Sequence, residues 1–576
     1  MIKVFNQLNI LLNISQKKKF IILFFLMIFF SILEFLSIGV IIPLASLILE
    51  GNLETANLNL DFLDKIGKVY SINSLIVFFV VIFLVIFVVK FFYSIFFLFI
   101  KNKFLYEVRN NFSQRIFKNY LTKPFSFHTN NNTSKLAINC KYELDIFTSN
   151  VLSPVLELMT DFILMIGLFI LLMYVEPKAT LLVIFIFTTA VFIYHSILKK
   201  RTRVWAQERQ HFDRLTNKVI REGLGAIKEI ILNLKENFFI KKLDYYLYRN
   251  LIVTVRAQLS NDLPRHMLEL IAVFGFLALF FFLKTSGYNV YDSLIIIGLF
   301  AAVTFKILPS FNRIMSNVQR LRFGQPVINL LFTELANNNH LKRNIDVKNL
   351  NSSHFKETIE VRNLFFKYDG KKEYIFEDLN FLIKKGQFIG LSGESGIGKS
   401  TFLNLISGLD KQFKGNILID GKNIEDLEYG WTQKVAYISQ SPFFIDDTIK
   451  NNIAFAEEES LIDEDKIWKS IEAAQLKSFV NNLDNGINTT IGEDGTRMSG
   501  GQLQRLAIAR ALYQDFTLII LDESLNSLDI ENENKIISIL DNLKNDKMII
   551  LISHKPETLK NCVLKYKIID KKIKKY

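Results

Sequence analysis

Two hydrophobic patterns divide the chain. Before about residue 325 the apolar positions run together in long blocks; beyond it they come as short runs separated by turns and charged, helix-like stretches. Six blocks stand out: Phe20–Leu49, Leu75–Ile100, Leu152–Met173, Thr180–Leu198, Leu263–Leu283 and Ser293–Leu308. Each has roughly the 17 to 25 residues, or more, of a membrane-crossing helix. The first block is too long for a signal-peptide core and shows no convincing small-residue cleavage site, so it is expected to be retained. Ahead of it, Met1–Ser15 alternates at roughly helical spacing and ends at Gln16-Lys17-Lys18-Lys19, the pattern of a helix lying at the inner membrane surface.

Charge orients these blocks. Segment 101–150 carries eight Lys/Arg against three Asp/Glu, and Lys199-Lys200-Arg201-Thr202-Arg203 opens the other long connection. Both connections and both termini are therefore expected in the cytoplasm. The outer connections are the turn at Glu176-Pro177, Thr285–Tyr291 and segment 50–73, where Phe62, Leu63, Ile66, Val69 and Tyr70 share one face of a short helix. The two cytoplasmic connections read as helices that prolong the spans and turn back, with tips at Ser134–Glu143 and Asn233–Asn237. The polar, Asn-rich stretch Leu335–His354 reads as a linker. The expected organisation is a six-helix membrane domain with two cytoplasmic coupling loops over 1–335, a linker over 336–357 and a soluble domain over 358–576.

Composition changes this picture little. A net charge of +13 would fit nucleic acid, but Lys and Arg flank apolar blocks, so membrane is the expected partner and nucleic acid is not. Cys140 and Cys562 lie far apart and form neither a disulfide framework nor a metal pattern.

The chemistry sits in the second part. Gly393-Glu394-Ser395-Gly396-Ile397-Gly398-Lys399-Ser400-Thr401 follows the apolar run Phe388–Leu391 and precedes a helix-like run. Such a loop turns backbone N–H groups around phosphates, brings the Lys399 charge to the terminal phosphates and offers the Ser400 hydroxyl to Mg²⁺. Leu518–Leu521 is a buried strand closed by Asp522, suited to Mg²⁺, and Glu523, suited to polarise water as general base. Two acids at such a strand end are costly unless a cation or water uses them. Gln440 ends another strand, within reach of Mg²⁺ or the attacking water, and Tyr368 offers a ring for adenine or for the core. Ser499-Gly500-Gly501-Gln502 opens an Ala-rich helix, a second place where backbone N–H groups favour an anion.

In order, these motifs resemble the ATP-binding cassette family, with the D-loop at Ser527-Leu528-Asp529 and the switch histidine at His554. Six spans followed by one cassette is similar to the half-transporter ABC exporters. The resemblance implies the type I exporter fold, a membrane α-helical domain followed by an α/β P-loop domain. It also implies ATP and Mg²⁺ as cofactors, a homodimer in which the signature of one copy completes the ATP site of the other, and ATP hydrolysis coupled to transport. The departures are Met498 for the usual Leu and Ser524-Leu525-Asn526 before the D-loop; neither removes a phosphate or metal ligand.

Ionisable residues in or beside the spans are the clue to cargo, because charge within a membrane is costly. Lys90, Arg265, Lys306 and Arg313 lie at a similar level, and Lys306 and Arg313 share a helical face. Any one of them fits snorkelling, and Arg265 fits a pair with Glu269. Together they suit a belt for an anionic head. Glu34, the outer segment, Leu263-Pro264-Arg265 and Leu308–Ile314 resemble the PglK-type flippases of lipid-linked oligosaccharides. That resemblance implies a polyprenyl-pyrophosphate oligosaccharide crossing the bacterial inner membrane, with the nucleotide-binding domain in the cytoplasm. The alternatives are a lipid A or phospholipid exporter and, lower in order, a peptide exporter.

Overall fold

The computed structural model describes residues 2–40, 72–175, 177–285, 290–336, 357–368, 371–427, 430–514, 516–525 and 529–576. The outer segment 50–73, but for its last two residues, and nearly all of the linker lie outside them. The chain forms two compact units, Met1–Lys123 with Asn131–Arg343 and Asn344–Tyr576 with Pro124–Asn130.

The first unit is helical. We label its main helices α1 (Ile2–Leu11), α2 (Ile14–Gly39), α3 (Ile72–Leu121), α4 (Ser153–Val175), α5 (Pro177–Gly225), α6 (Glu236–Thr285) and α7 (Val290–Phe323). Each predicted block lies in α2 to α7, as far as it is described. Four stretches, Ile14–Ser37, Ser74–Leu121, Thr133–Ile170 and Glu236–Thr285, are long and apolar enough to cross a membrane among the described residues. The other two predicted spans fall in α5 and α7, where many side chains are outside the description. The 50 residues of α3 give, at about 1.5 Å each, about 75 Å of helix, more than twice a hydrocarbon core of about 30 Å. Its apolar part shows Val77, Phe91, Phe92 and Phe99 outward, as lipid-facing positions do. Helix α1 buries Leu8 and Leu11 and joins the helix Gln325–Ala336 through Gln7 Nε2, which donates to Asn329 Oδ1 at 3.2 Å.

One of the two tips expected in the cytoplasm lies elsewhere along the chain. Helix α3 stops at Leu121, ahead of Pro124, and the chain reverses through the short helix Phe125–Asn130. Residues Thr133–Cys140, expected at the tip, instead form a helix capped by Asn132, whose side chain accepts from Ser134 N. Proline cannot donate to the helix ladder and biases the residue before it away from helix, which places the reversal here. The second turn falls at Leu234, with φ 52°, between Ile227–Asn233 and α6, within the expected range.

The second unit is built on two sheets. An antiparallel sheet has the order β2-β1-β4-β5, from Phe376–Lys384, Thr358–Phe366, Lys414–Ile419 and Lys422–Asn423. The other has the order β10-β9-β3-β8-β7-β6, from Lys572–Lys575, Leu564–Ile569, Phe388–Ser392, Met548–Ile552, Leu518–Asp522 and Val435–Ile438. Strands β3, β8, β7 and β6 are parallel, with Leu391 opposite Ile552, Asp522 opposite Ile552 and Ile438 opposite Leu521. Their near-continuous apolar sequences fit burial on both faces. Helices α8 (Lys399–Ile406), α9 (Gly500–Tyr513) and α10 (Ile530–Leu543) belong to this unit; Phe402, Leu405, Leu506, Ile508, Ile536 and Leu540 are buried in its cores. Parallel strands end together, so the loops after β3, β8, β7 and β6 emerge along one edge of the sheet.

Candidate functional site

That shared edge gathers residues far apart in sequence. After β3 the chain turns through Gly393, Gly396 and Gly398, with φ of 157°, 81° and 108°. The left-handed backbone at Gly396 and Gly398 is one that glycine adopts without a Cβ penalty. At Gly398 a Cβ would also lie 2.6 Å from Ile375 Cγ2. The turn delivers the chain into α8 with the exposed N-terminal N–H groups of a helix at an anion-sized loop. Lys399 is buried, and its Nζ donates to Gly393 O at 3.0 Å and Glu394 O at 3.1 Å and lies 3.2 Å from His554 Nε2. The ammonium is thus held inside the loop. Ser400 is exposed beside it, and Thr401 Oγ1 lies 3.0 Å from the hydroxyl of the half-exposed Tyr368.

The acids at the end of β7 separate. Asp522 Oδ2 accepts from the Tyr437 hydroxyl at 2.8 Å, a partner on β6 that sequence reading missed. Burial, followed by the Asp522 charge, pushes the Tyr437 phenol well above its usual range, so it stays a donor. Glu523 has φ 53°, a left-handed backbone uncommon outside glycine. Its Oε2 accepts from Gln440 Nε2 at 3.3 Å, and its Oε1 lies 2.9 Å from His554 Nε2. Gln440, Glu523, His554 and Lys399 therefore form one contiguous polar group, the first three just beyond the ends of the adjacent parallel strands β6, β7 and β8 and Lys399 at the start of α8.

The residues fit the cofactors. Backbone donors and a buried lysine suit a phosphate chain. Ser400, Asp522 and Gln440 offer hard oxygen atoms, the donor type for Mg²⁺. Among the described residues no group of three His, Cys, Asp or Glu is placed to hold a metal. Magnesium in nucleotide sites leans on phosphates and water with one or two protein oxygens, so this small donor set is the right kind.

The turn before α9 is a capping box. Gln502 N donates to Ser499 Oγ at 3.3 Å, and Ser499 N donates to Gln502 Oε1 at 2.7 Å. Open space lies where a Gly500 Cβ would be. Among the described residues no hydrogen bond links Ser499–Gln502 to the loop Gly393–Thr401. Of the expected D-loop, Ser527 and Leu528 lie outside the described residues, and Asp529 caps α10 by accepting from Asn532 N at 3.2 Å.

In the membrane unit Lys90, Arg265 and Arg313 of the expected belt each meet an acid. Lys90 Nζ lies 2.8 Å from Glu34 Oε2, with both side chains 13% exposed. Arg265 Nε lies 3.1 Å from Glu269 Oε1 in an exposed pair. Arg313 meets Asp161 side-on, through Nε at 3.1 Å from both carboxylate oxygens and Nη2 at 2.5 Å from Oδ1. The Lys306 side chain lies outside the described residues. Desolvation inside a helical bundle favours such pairing. Arg265, Glu269, Leu308, Pro309, Asn312 and Arg313 line a cavity of about 490 Å³. Asn312 Oδ1 is buried without a partner among the described residues.

A family model described as ABC transporter matches residues 376–526, and one described as ABC transporter transmembrane region matches residues 20–308. An "ATP-dependent lipid A-core flippase" of Haemophilus influenzae (strain 86-028NP) is 30% identical over 458 residues, 78% of this chain and 76% of that protein. A protein of the same description from Wigglesworthia glossinidia brevipalpis is 26% identical over 469 residues, 81% of this chain and 78% of its own. Among solved structures, a bacterial Atm1-family ABC exporter with ATP bound superposes with TM-score 0.75 at 17% identity, covering 98% of this chain and 95% of its own.

Proposed function

The chain belongs to the ABC transporter family as an exporter half-transporter of type I fold, an ATPase coupled to transport, and we propose that it flips a lipid with a phosphorylated head across the bacterial inner membrane. The carrying observation is the similarity to lipid A-core flippases along 78% of the chain. It favours a lipid A-type cargo over the lipid-linked oligosaccharide suggested by the sequence. The cavity beside Arg313 supports the head chemistry: guanidinium donors suit phosphate, and an unpartnered amide oxygen at Asn312 suits a sugar hydroxyl.

A second reading keeps a specific observation. Arg265, Leu308, Pro309, Asn312 and Arg313 come from the two segments that resemble oligosaccharide-lipid flippases, and they line one cavity. A polyprenyl-pyrophosphate oligosaccharide presents the same phosphate and hydroxyl groups.

For the cassette we propose ATP bound by Gly393–Thr401, with Tyr368 beside the base and Ser499–Gln502 of a second copy closing over it in a homodimer. Ser400, Asp522 and Gln440 hold Mg²⁺, Glu523 is the general base for the attacking water, and His554 and Gln440 orient it. When bound, Mg²⁺ neutralises charge on the phosphates. The Tyr437 hydroxyl keeps Asp522 in place.

The test is ATP-dependent translocation in proteoliposomes, with lipid A, a polyprenyl-pyrophosphate oligosaccharide and phosphatidylcholine as separate cargoes. Translocation of lipid A alone supports the main reading, and translocation of the oligosaccharide lipid alone replaces it by the second. Movement of phosphatidylcholine alone removes the phosphorylated sugar head from the argument.

A further inference from the structure

Arg313 is a wall shared by two cavities. One is the cavity of about 490 Å³ with Arg265 and Asn312. The other, about 410 Å³, lies among α2, α3, α4 and α7 and is lined by Glu34, Lys101, Glu157, Asp161 and Arg313, with Phe30 and Leu164 among its apolar walls. Three carboxylates therefore face two cations. Each carboxylate is tied to a cation on a helix other than its own: Glu34 to Lys90, Glu157 to Lys101 at 3.5 Å and Arg320 at 3.6 Å, and Asp161 to Arg313.

The Asp161–Arg313 pair is one-sided. The Asp161 side chain is 4% exposed and the Arg313 side chain 50%. Nε and Nη2 of the guanidinium are taken by Asp161, and Nη2 also donates to Ser310 Oγ at 2.9 Å. Its Nη1 donates to none of the described residues. An anion that reaches Arg313 thus arrives at the open side of a guanidinium already held, and already partly neutralised, from behind. Glu157, one turn away on α4, adds a second negative charge on the same side.

We propose that Asp161 is a buried counter-charge that weakens the grip of Arg313 on the lipid head so that the head can be released. The proposal rests on the phosphorylated-head reading above. An arginine with no counter-charge behind it would hold a phosphate more strongly and let it go more slowly. Asp161 fixes the guanidinium in one orientation and lowers the positive potential at its open face. It is a positioning residue, acting on the head through Arg313. Because the effect is Coulombic, it scales with the charge of the head.

The experiment measures lipid-stimulated ATPase activity and translocation by the full-length protein in nanodiscs and proteoliposomes. The probes are hexa-acylated lipid A bearing two phosphates, phosphatidylglycerol and phosphatidylcholine. In Asp161→Asn the half-stimulating concentration of lipid A is expected to fall by about 10-fold, the scale of removing one unit charge beside a binding cation. The maximal translocation rate falls with it. Phosphatidylglycerol shifts less, phosphatidylcholine does not shift, and Asp161→Glu returns wild-type values. Glu157→Gln gives a smaller shift of the same sign, and it serves as the test should Asp161→Asn fail to fold.

A purely structural role for Asp161 lowers the unfolding temperature and leaves the half-stimulating concentration of lipid A unchanged, which overturns the proposal. An equal shift for all three lipids overturns it too. Absence of any response of wild-type protein to the two anionic lipids is a different result: it removes the phosphorylated-head reading itself.

Discussion

The two charged clusters of this molecule are built in opposite ways. In the cassette, Gln440, Glu523 and His554 follow the ends of the neighbouring strands β6, β7 and β8, Lys399 lies beside them at the start of α8, and Gln440 and His554 share Glu523. In the membrane unit, Glu34, Glu157 and Asp161 sit within helices, each facing a cation from another helix. Strand ends bring polar groups together at the edge of an apolar sheet, where water and ligand reach them. Helix interiors have no such edge, so each charge is matched locally. The first arrangement is open to rearrangement by a ligand, and the second ties one helix to another while leaving half of the Arg313 side chain exposed.

The largest effect that tests this contrast is expected at Glu523. Glu523→Gln keeps the side-chain shape and removes the base, so ATP hydrolysis is expected to fall by about 10²-fold or more with ATP binding retained. Single-turnover hydrolysis together with nucleotide-binding measurements checks it. Because Gln440 and His554 are solvent-reaching neighbours, little loss of thermal stability should accompany the substitution. Near-normal hydrolysis would remove Glu523 from the role of base.

The opposite balance is expected at Arg313. Removing one partner of a buried pair leaves an uncompensated charge, at a cost of about 3–5 kcal/mol. Arg313 is half exposed, so Arg313→Ala should fall at the low end, about 3 kcal/mol, read as a lower unfolding temperature in detergent. The double variant Asp161→Asn/Arg313→Leu should recover most of it. Basal ATP hydrolysis should change much less than stability. A double variant no more stable than Arg313→Ala would mean that the pair is not what holds α4 to α7.

The same contrast explains what could be read from the chain. The cassette residues sit in short motifs whose spacing reports a strand end or a helix start, so Gly393–Thr401, Asp522, Glu523 and Ser499–Gln502 were visible one at a time. Tyr437 was visible as a residue of β6, but its role depends on β6 pairing with β7, which no local pattern encodes. In the membrane domain, the apolar blocks announce the helices and spacing alone suggests Arg265 with Glu269, but Asp161, inside an apolar block, carries no local sign of its partner. Asp161 lies 152 residues from Arg313, and only the packing of α4 on α7 joins them. The expected tip at Ser134–Glu143 differs from the observed turn for a local reason: Pro124 breaks the helix that ends at Leu121, and Thr133–Cys140 forms a helix of its own.

A smaller effect sharpens the comparison, because it joins a legible residue to an illegible one. Pro264 lies inside α6 and cannot donate to the carbonyl four residues earlier, that of Ser260. The hydroxyl of Tyr194, on α5, donates to that carbonyl instead, and both residues are buried. The proline is plain in the sequence, and the tyrosine that answers it is not. Membrane helices tolerate proline where a neighbouring group satisfies the freed carbonyl, so Tyr194→Phe should cost about 1 kcal/mol, the net worth of one hydrogen bond. Pro264→Ala restores the backbone donor. In a Pro264→Ala background, Tyr194→Phe should therefore cost clearly less, and a thermal double-mutant cycle reads the difference as coupling. Equal cost in both backgrounds would detach Tyr194 from the proline and leave its contact as ordinary packing between α5 and α6.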